Sequence, residues 1–171
     1  MIASPPHVID LFLQPGDHYF GDSDTRIRTL LGSCVSITMW HPKLLVGGMC
    51  HYMLPKRTQC GATLNGKYAD EALQLMINEA KLIGTVPSEY QIKLFGGGNM
   101  FPHAKKQLLT HVGLKNAEAG RALLKQHNLA INAEHLGGEG HRNLFFELWS
   151  GDVWMQHNAP ASQSVNNVRT G

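Results

Sequence analysis

Two residues of this sequence, Cys34 and His51, are of the types that form a nucleophile and its base. An imidazole that takes the proton of a neighbouring thiol gives a thiolate and imidazolium pair, which is far more nucleophilic at neutral pH than a free thiol. Such a pair attacks carboxamide or acyl carbons, and backbone N–H groups near the sulfur stabilise the resulting oxyanion. Gly32 and Ser33 precede the cysteine, and Gly32 has no Cβ to hinder a substrate. We therefore predict catalytic roles for Cys34 and His51, and substrate or oxyanion binding at Gly32 and Ser33.

The strands that carry this pair predict that the two side chains meet. Residues 27–40 alternate between two faces, as a half-buried strand does, and residues 44–54 form a second apolar strand. A hairpin turn centred within Pro42-Lys43 would place Cys34 directly opposite His51, with Cβ atoms roughly 4.5 to 5.5 Å apart. The prediction depends on register, because a bulge or a shifted turn would remove this opposition.

Both residues also have structural explanations. A lone cysteine in a strand usually packs in the core, and a histidine beside apolar residues usually only finds a hydrogen bond. A zinc site built from Cys50, His51 and Cys60 is disfavoured, since strand neighbours point to opposite faces and no Cys-x-x-Cys pair is present. The Gly96-Gly97-Gly98 run lacks the Lys-Ser or Lys-Thr that follows in a phosphate loop, and a tight turn explains it equally well. We expect neither a metal nor a cofactor.

The order of the elements predicts an α/β fold in a single domain. The 171 residues suffice for one hydrophobic core, and 43% of them are hydrophobic against 16% charged, as in globular proteins. Apolar residues at spacings of three and four predict helices over residues 69–83 and 116–127. Besides the hairpin, strands are predicted over residues 7–13, 90–95, 129–135, 143–149 and 152–155. We predict a domain over residues 1–156, followed by a polar, disordered tail over residues 157–171.

Composition disfavours several other classes of protein. The formal net charge is +2, and the Lys and Arg residues are scattered, so nucleic acid is not an expected partner. No apolar run reaches the roughly 18 residues of a membrane span, and the N-terminus lacks the pattern of a signal peptide. Three cysteines without an export signal predict reduced thiols, so we expect the chain in the cytoplasm.

Several short motifs, in their order and spacing, closely resemble those of the CheD family of chemoreceptor glutamine deamidases. These motifs are Thr29-Leu-Leu-Gly-Ser-Cys-Val35, Gly47-Gly48, His51-Tyr-Met-Leu-Pro55, Lys67-Tyr68-Ala69-Asp70 and Phe95-Gly-Gly-Gly-Asn-Met100. Val112-Gly113 with Asn116, and Gly137-Gly138 with Arg142, extend the resemblance over most of the chain. The resemblance implies a layered α/β sandwich of mixed, largely antiparallel sheets with two main helices, similar to the catalytic domain of the cytotoxic necrotizing factor toxins.

The resemblance also implies roles for individual residues. Cys34 corresponds to the nucleophile and His51 to the general base, and Thr29 is the nearest candidate for a third active-site residue, with Arg28 at the alternative position. The implied reaction converts receptor glutamines to glutamate through a cysteine thioester, with release of ammonia and without a cofactor. The implied partners are the cytoplasmic domain of methyl-accepting chemotaxis receptors and a CheC-type phosphatase. A non-catalytic adaptor with the same partners is the alternative, and a transglutaminase or thiol protease would share the thioester chemistry.

Overall fold

Ten strands and two α-helices make up the part of the chain that the computed structural model describes, namely residues 2–59, 61–101, 111–159 and 166–170. The strands are β1 (Ile9–Phe12), β2 (His18–Gly21), β3 (Thr25–Leu31), β4 (Val35–His41), β5 (Val46–Cys50), β6 (Gln91–Gly96), β7 (Ile131–Leu136), β8 (His141–Glu147), β9 (Asp152–Asn158) and β10 (Asn166–Thr170). The α-helices are α1 (Ala69–Leu82) and α2 (Val112–Gln126), and a short 3-10 helix spans Pro87–Glu89.

The strands form two five-stranded sheets, and these stack with the helices in three layers. Sheet A has the order β1-β3-β8-β9-β10, and sheet B has the order β2-β5-β4-β6-β7. Sheet B lies in the middle, because alternate residues of β4 face different clusters: Ile37 packs with helix residues, whereas Trp40 packs with residues of sheet A. All of β4 is therefore buried, where the sequence suggested a half-buried strand. The predicted layered α/β fold with mixed sheets and two main helices is confirmed.

Apolar periodicity predicted the bounds of α1 more accurately than those of α2. Helix α1 ends one residue before the predicted boundary, and its buried residues are those at the predicted spacings. Helix α2 begins at Val112, four positions earlier than predicted. Its first turn contains Gly113, which apolar periodicity does not register, and a Cβ on Gly113 would lie 2.4 Å from the carbonyl oxygen of Gly97. The glycine is present because the helix start packs directly against the backbone of the Gly96–Gly98 turn.

The predicted strand over residues 27–40 is in fact two strands in different sheets. Strand β3 pairs with β1 and β8 in sheet A, whereas β4 pairs with β5 and β6 in sheet B. The alternating pattern continues through the break because the odd-numbered residues of both strands are buried, those of β3 between the sheets and those of β4 beneath the helices, so periodicity alone could not reveal it. Gly32, Ser33 and Cys34 form the connection, called the crossover below.

The C-terminal residues also differ from the prediction. Strand β9 continues to Asn158, beyond the predicted domain boundary at residue 156, and β10 adds to it as an antiparallel edge strand. Residues 166–170 thus form a strand within the segment predicted to be a disordered tail, because backbone hydrogen bonds to an open sheet edge require no apolar pattern. Across the described ranges, no helix has the length and apolar character needed to cross a membrane.

Candidate active site

The crossover is held by its carbonyl groups. Each of its three carbonyl oxygens accepts a hydrogen bond from another part of the fold: Gly32 from the N–H of Gly98 at 2.9 Å, Ser33 from Nδ2 of Asn116 at 3.0 Å, and Cys34 from the N–H of Gly97 at 2.8 Å. The donors come from the glycine turn after β6 and from helix α2. Because the backbone is fixed at every residue, the position of Cys34 is set by both neighbouring elements.

The N–H groups of the crossover point the other way. Carbonyl and N–H are antiparallel in a trans peptide, and the described chain contains no cis peptide bond. The N–H groups of Ser33 and Cys34 find no acceptor among the described residues. They are therefore available to an oxyanion formed at the Cys34 sulfur. The sequence predicted that Gly32 leaves the substrate an open approach to Cys34. In the structure the side chain of Met100 covers this face, since a Cβ on Gly32 would lie 2.9 Å from its Sδ.

His51 follows β5 and is anchored by its backbone to the first turn of the chain. Its N–H donates to the carbonyl of Asp17 at 3.0 Å, and its carbonyl accepts from the N–H of Gly16 at 2.7 Å. The side chain is only 2% exposed. The turn that holds it is closed by the N–H of Gln14, which donates to the Asp17 carboxylate at 2.8 Å.

Thr29 orients the imidazole. Its Oγ1 donates to the carbonyl of Leu13 at 2.9 Å and lies 2.7 Å from Nδ1 of His51. A hydroxyl has one hydrogen, so Nδ1 must carry the proton of the second bond and Nε2 must be the unprotonated nitrogen. Nε2 is buried and has no hydrogen-bond partner in the described part of the chain. The imidazole is thus held in the tautomer that a general base needs.

Arg28 does not reach this site. Its side chain lies on the opposite side of β3, where it pairs with Asp10 and stacks over Phe12. Thr29 faces the layer between the sheets, on the same side of β3 as Ile27. Of the two positions considered for the third residue, the structure brings Thr29 to His51.

The register that predicted contact between Cys34 and His51 is shifted by one position on each strand. Pairs such as Met39↔Gly48 and the bridge Val35↔Tyr52 make the two residues diagonal neighbours instead of directly opposed ones. The cause is the turn, in which Leu45 adopts a left-handed backbone (φ 53°) and its N–H bonds to His41. This conformation favours glycine or asparagine, so a leucine gave no signal of it.

Cys34 and His51 nevertheless reach the same layer. Cys34 packs against the cluster between the sheets, the layer that Thr29 and His51 also enter. No hydrogen bond joins the sulfur to Nε2 in the resting structure, since Nε2 has no partner within the described ranges. Cys34 and His51 thus lie in the same layer but are not in hydrogen-bond contact.

Burial sets the charge state of both groups. It lowers the pKa of His51 to about 4, which the nearby Asp17 only partly offsets, and it raises the pKa of the Cys34 thiol above its usual value. At neutral pH the thiol and the imidazole are therefore both neutral. The thiolate and imidazolium pair predicted from the sequence is not the resting state that these pKa shifts favour.

Two polar residues that sequence reasoning gave no role lie next to the crossover. Asn116 is fully buried and donates to it, and Arg142 is 1% exposed and donates through Nε to Nδ1 of His135 at 2.8 Å. A Cβ on Gly98 would lie 3.2 Å from Nη1 of Arg142, so the guanidinium lies behind the glycine turn. A polar residue at an inward-facing position of a helix or strand is the signal that could have identified both.

The other cysteine that the structure describes lies in the core. Cys50 is fully buried in the cluster beneath the helices, and burial raises the pKa of its thiol to about 12. Cys60 lies outside the described residues. Within the residues described, no group of three or more His, Cys, Asp or Glu side chains is placed to hold a metal ion.

Comparison with known proteins gives one consistent result. The family model for CheD, described as chemotactic sensory transduction, matches residues 53–157. A protein of Pseudomonas savastanoi pv. phaseolicola is 50% identical over 155 residues, covering 90% of this chain and 88% of its own length. A Dechloromonas aromatica protein is 46% identical over 98% of this chain and 99% of its own, and a Leptospira interrogans protein is 48% identical over 91% and 97%. All three carry the name "Probable chemoreceptor glutamine deamidase CheD", with a copy number in the last two.

Proposed function

The chain belongs to the CheD family, and from this premise we propose that it is a protein-glutamine deamidase that converts glutamines of chemoreceptors to glutamate and releases ammonia. The full-length relatives carry this activity in their names. The observation that carries the proposal is the 2.7 Å contact between Thr29 Oγ1 and His51 Nδ1, because it leaves Nε2 as a free base in the layer that Cys34 enters.

In the first half of the proposed reaction, Cys34 acts as the nucleophile and His51 as the base. Nε2 takes the thiol proton as Sγ attacks the carboxamide carbon of a receptor glutamine, and the C=O electrons move to the oxygen. The N–H groups of Ser33 and Cys34 bind that oxyanion. When the carbonyl re-forms, the C–N bond breaks, and the imidazolium gives its proton to the departing nitrogen. Ammonia leaves, and a thioester to Cys34 remains.

The second half repeats the sequence with water as the nucleophile. Nε2 takes a proton from water, the hydroxyl adds to the thioester carbon, and the same N–H groups hold the second oxyanion. Collapse breaks the C–S bond, and the proton on Nε2 returns to the sulfur. Glutamate is released, and the chain is regenerated without a cofactor. Thr29 keeps the proton on Nδ1 throughout, so Nε2 can accept and donate in each half.

The neutral resting pair fits this sequence. A thiol that stays protonated until a substrate arrives is less open to unwanted oxidation or alkylation than a standing thiolate. Closure of the gap between Sγ and Nε2 when substrate binds would start proton transfer, since catalytic hydrogen bonds often tighten only in the complex with substrate.

The proposed setting and partners follow from the substrate. We infer that the receptor's cytoplasmic domain is modified, which places the reaction in the cytoplasm, where thiols stay reduced. Residues 1–156 would act as the deamidase domain, with β10 docked on it. A CheC-type phosphatase is a further proposed partner. A non-catalytic adaptor for the same partners is the second candidate, and the absence of a resting Cys34–His51 hydrogen bond among the described residues favours it.

The test uses the purified chain with a purified chemoreceptor cytoplasmic fragment. We expect release of ammonia and the mass gain of amide-to-acid conversion on individual receptor glutamines. Cys34→Ala should abolish both, whereas Cys50→Ala, a matched cysteine variant in the core, should retain activity per folded molecule. Receptor binding without ammonia release by the wild-type chain would favour the adaptor. Full activity in Cys34→Ala would remove the nucleophile assignment.

A further inference from the structure

Asn116 connects the segments that carry the nucleophile and the base through one amide nitrogen. Its side chain is fully buried. Nδ2 donates to the carbonyl of Ser33 at 3.0 Å and to the carbonyl of Met53 at 2.7 Å, so both of its hydrogens are used. Ser33 directly precedes Cys34, and Met53 comes shortly after His51 in the chain. A single side chain of α2 thus contacts both halves of the site.

The orientation of this amide follows from its neighbours. With the amide reversed, Oδ1 would face two carbonyl oxygens, which repel it, so the nitrogen must face them. Oδ1 is buried and has no hydrogen-bond partner in the described part of the chain. A buried acceptor without a partner is costly, which indicates that the position is occupied for the two hydrogens of Nδ2.

The bond to Ser33 acts on a catalytic group across one peptide plane. The Ser33 carbonyl and the Cys34 N–H belong to the same trans peptide and point in opposite directions. Pulling the carbonyl toward α2 therefore directs the Cys34 N–H away from the helix, to the side where no acceptor occupies it among the described residues. A hydrogen bond to the carbonyl also polarises the peptide and strengthens its N–H as a donor.

We propose that Asn116 is a positioning residue, which aims the Cys34 N–H at the oxyanion by holding the Ser33 carbonyl. This inference rests on the proposed deamidase function. It adds a residue that touches no reacting atom, and it assigns that residue to stabilisation of the tetrahedral intermediate, separate from activation of the thiol.

Small residues on both sides allow α2 to come close enough for this role. Gly113 lets the helix start pack on the Gly97 backbone, as described above. One turn after Asn116, a Cβ on Gly120 would lie 2.5 Å from the hydroxyl oxygen of Tyr52. That hydroxyl donates to the backbone carbonyl of Asn116 at 2.7 Å. Backbone and side chain of Asn116 are therefore both fixed to the segment that follows His51.

The experiment separates oxyanion stabilisation from thiol activation. Deamidation forms an oxyanion, whereas iodoacetamide reacts with the same sulfur by direct displacement of iodide and forms none. Asn116→Ala and the similarly sized Asn116→Leu are compared with wild type in two assays. The first measures kcat and KM for ammonia release from a chemoreceptor cytoplasmic fragment. The second measures alkylation of Cys34 by mass spectrometry of its own peptide, so that other cysteines do not contribute. Far-UV circular dichroism reports folding, and Lys115→Ala, at the adjacent exposed position, is the control.

We expect kcat to fall about 10- to 100-fold with little change in KM, while the alkylation rate stays within about threefold of wild type. The control Lys115→Ala should match wild type in both kcat and the alkylation rate. A parallel fall of kcat and alkylation in folded variants would overturn the inference, as would an unchanged kcat or a loss of folding in both variants. An inactive wild-type chain would instead refute the proposed function, so the two failures are distinguishable.

Discussion

The proposed nucleophile and the proposed base of this site are held in contrasting ways. Cys34 lies in a partly exposed crossover whose backbone carbonyls are bonded at every residue, and most of the donors are backbone N–H groups of glycines. His51 is almost completely buried, and its ring is oriented by one side-chain hydroxyl. The contrast reflects two requirements. An oxyanion site needs peptide groups fixed in direction, whereas a base needs a defined tautomer and a low dielectric.

Among the variants that test this contrast, removal of the proposed base should cause the largest loss of deamidation activity. His51→Gln keeps a polar side chain of similar length but cannot exchange protons, so kcat/KM for receptor deamidation should fall about 10³-fold or more. The measurement is ammonia release at neutral pH. His127→Gln, an exposed histidine at the end of α2, is the matched control and should keep wild-type activity. A loss below tenfold in His51→Gln would show that another group serves as base.

The crossover, which backbone hydrogen bonds hold in place, should be sensitive to a single added methyl group. A Cβ on Gly98 would lie 2.4 Å from the carbonyl of Gly140 and 3.3 Å from that of Gly32, so Gly98→Ala must displace the turn that holds the crossover. We expect kcat to fall about 10- to 100-fold, together with a lower melting temperature.

Gly32→Ala provides the contrast to Gly98→Ala. The three described atoms nearest its new Cβ all belong to the flexible side chain of Met100, which can move, so the loss in kcat should stay within about threefold. Equal losses in the two variants would indicate that crowding at the sulfur, and not displacement of the turn, limits the reaction.

His51, whose ring is oriented by a side-chain hydroxyl, should lose activity as a base when the Thr29 hydroxyl is removed. Thr29→Val keeps the shape but leaves Nδ1 without its partner, so the preferred tautomer is no longer enforced and kcat should fall about tenfold. Thr29→Ser, which retains the hydroxyl, should recover most of the activity. Thr38→Val, another buried threonine of the layered core, is the control for stability. Equal activity in the valine and serine variants would contradict the orienting role.

The smallest expected effect is that of mild acid. The imidazole must be neutral to act as base, and its pKa is lowered to about 4, so it stays neutral well below pH 6. Between pH 7.5 and 5.5, kcat/KM should fall less than about twofold, whereas a histidine with an ordinary pKa near 6.5 would lose about tenfold. The unfolded state binds the proton more readily, so stability should decline as the pH falls from about 6.5 toward 4. A fall in kcat/KM with a midpoint near pH 6.5, in a chain that stays folded, would contradict the argument that burial lowers the pKa of His51.

The sequence predicted some of this arrangement, and specific local features explain the rest. Helix α1 and the β4–β5 hairpin followed from apolar spacing. Residue chemistry singled out Cys34 and His51, and their catalytic roles stay a prediction. The register failed because Leu45 adopts a backbone conformation that its type does not signal. The break between β3 and β4 was hidden because the odd-numbered residues of both strands are buried, although they face different layers. Thr29 was placed by resemblance alone, since the residues that bring it to His51 are distant in the chain.

Because the crossover runs from one sheet to the other, the proposed active-site residues are distributed over both. Thr29 belongs to sheet A, His51 follows a strand of sheet B, and Cys34 sits where the chain passes between them. Sliding of one sheet over the other by a fraction of an ångström would therefore misalign the chemistry while every strand stayed intact. Deamidation rate should thus report sheet-to-sheet alignment, and repacking of a distant interior residue such as Phe146 should slow turnover before it unfolds the protein.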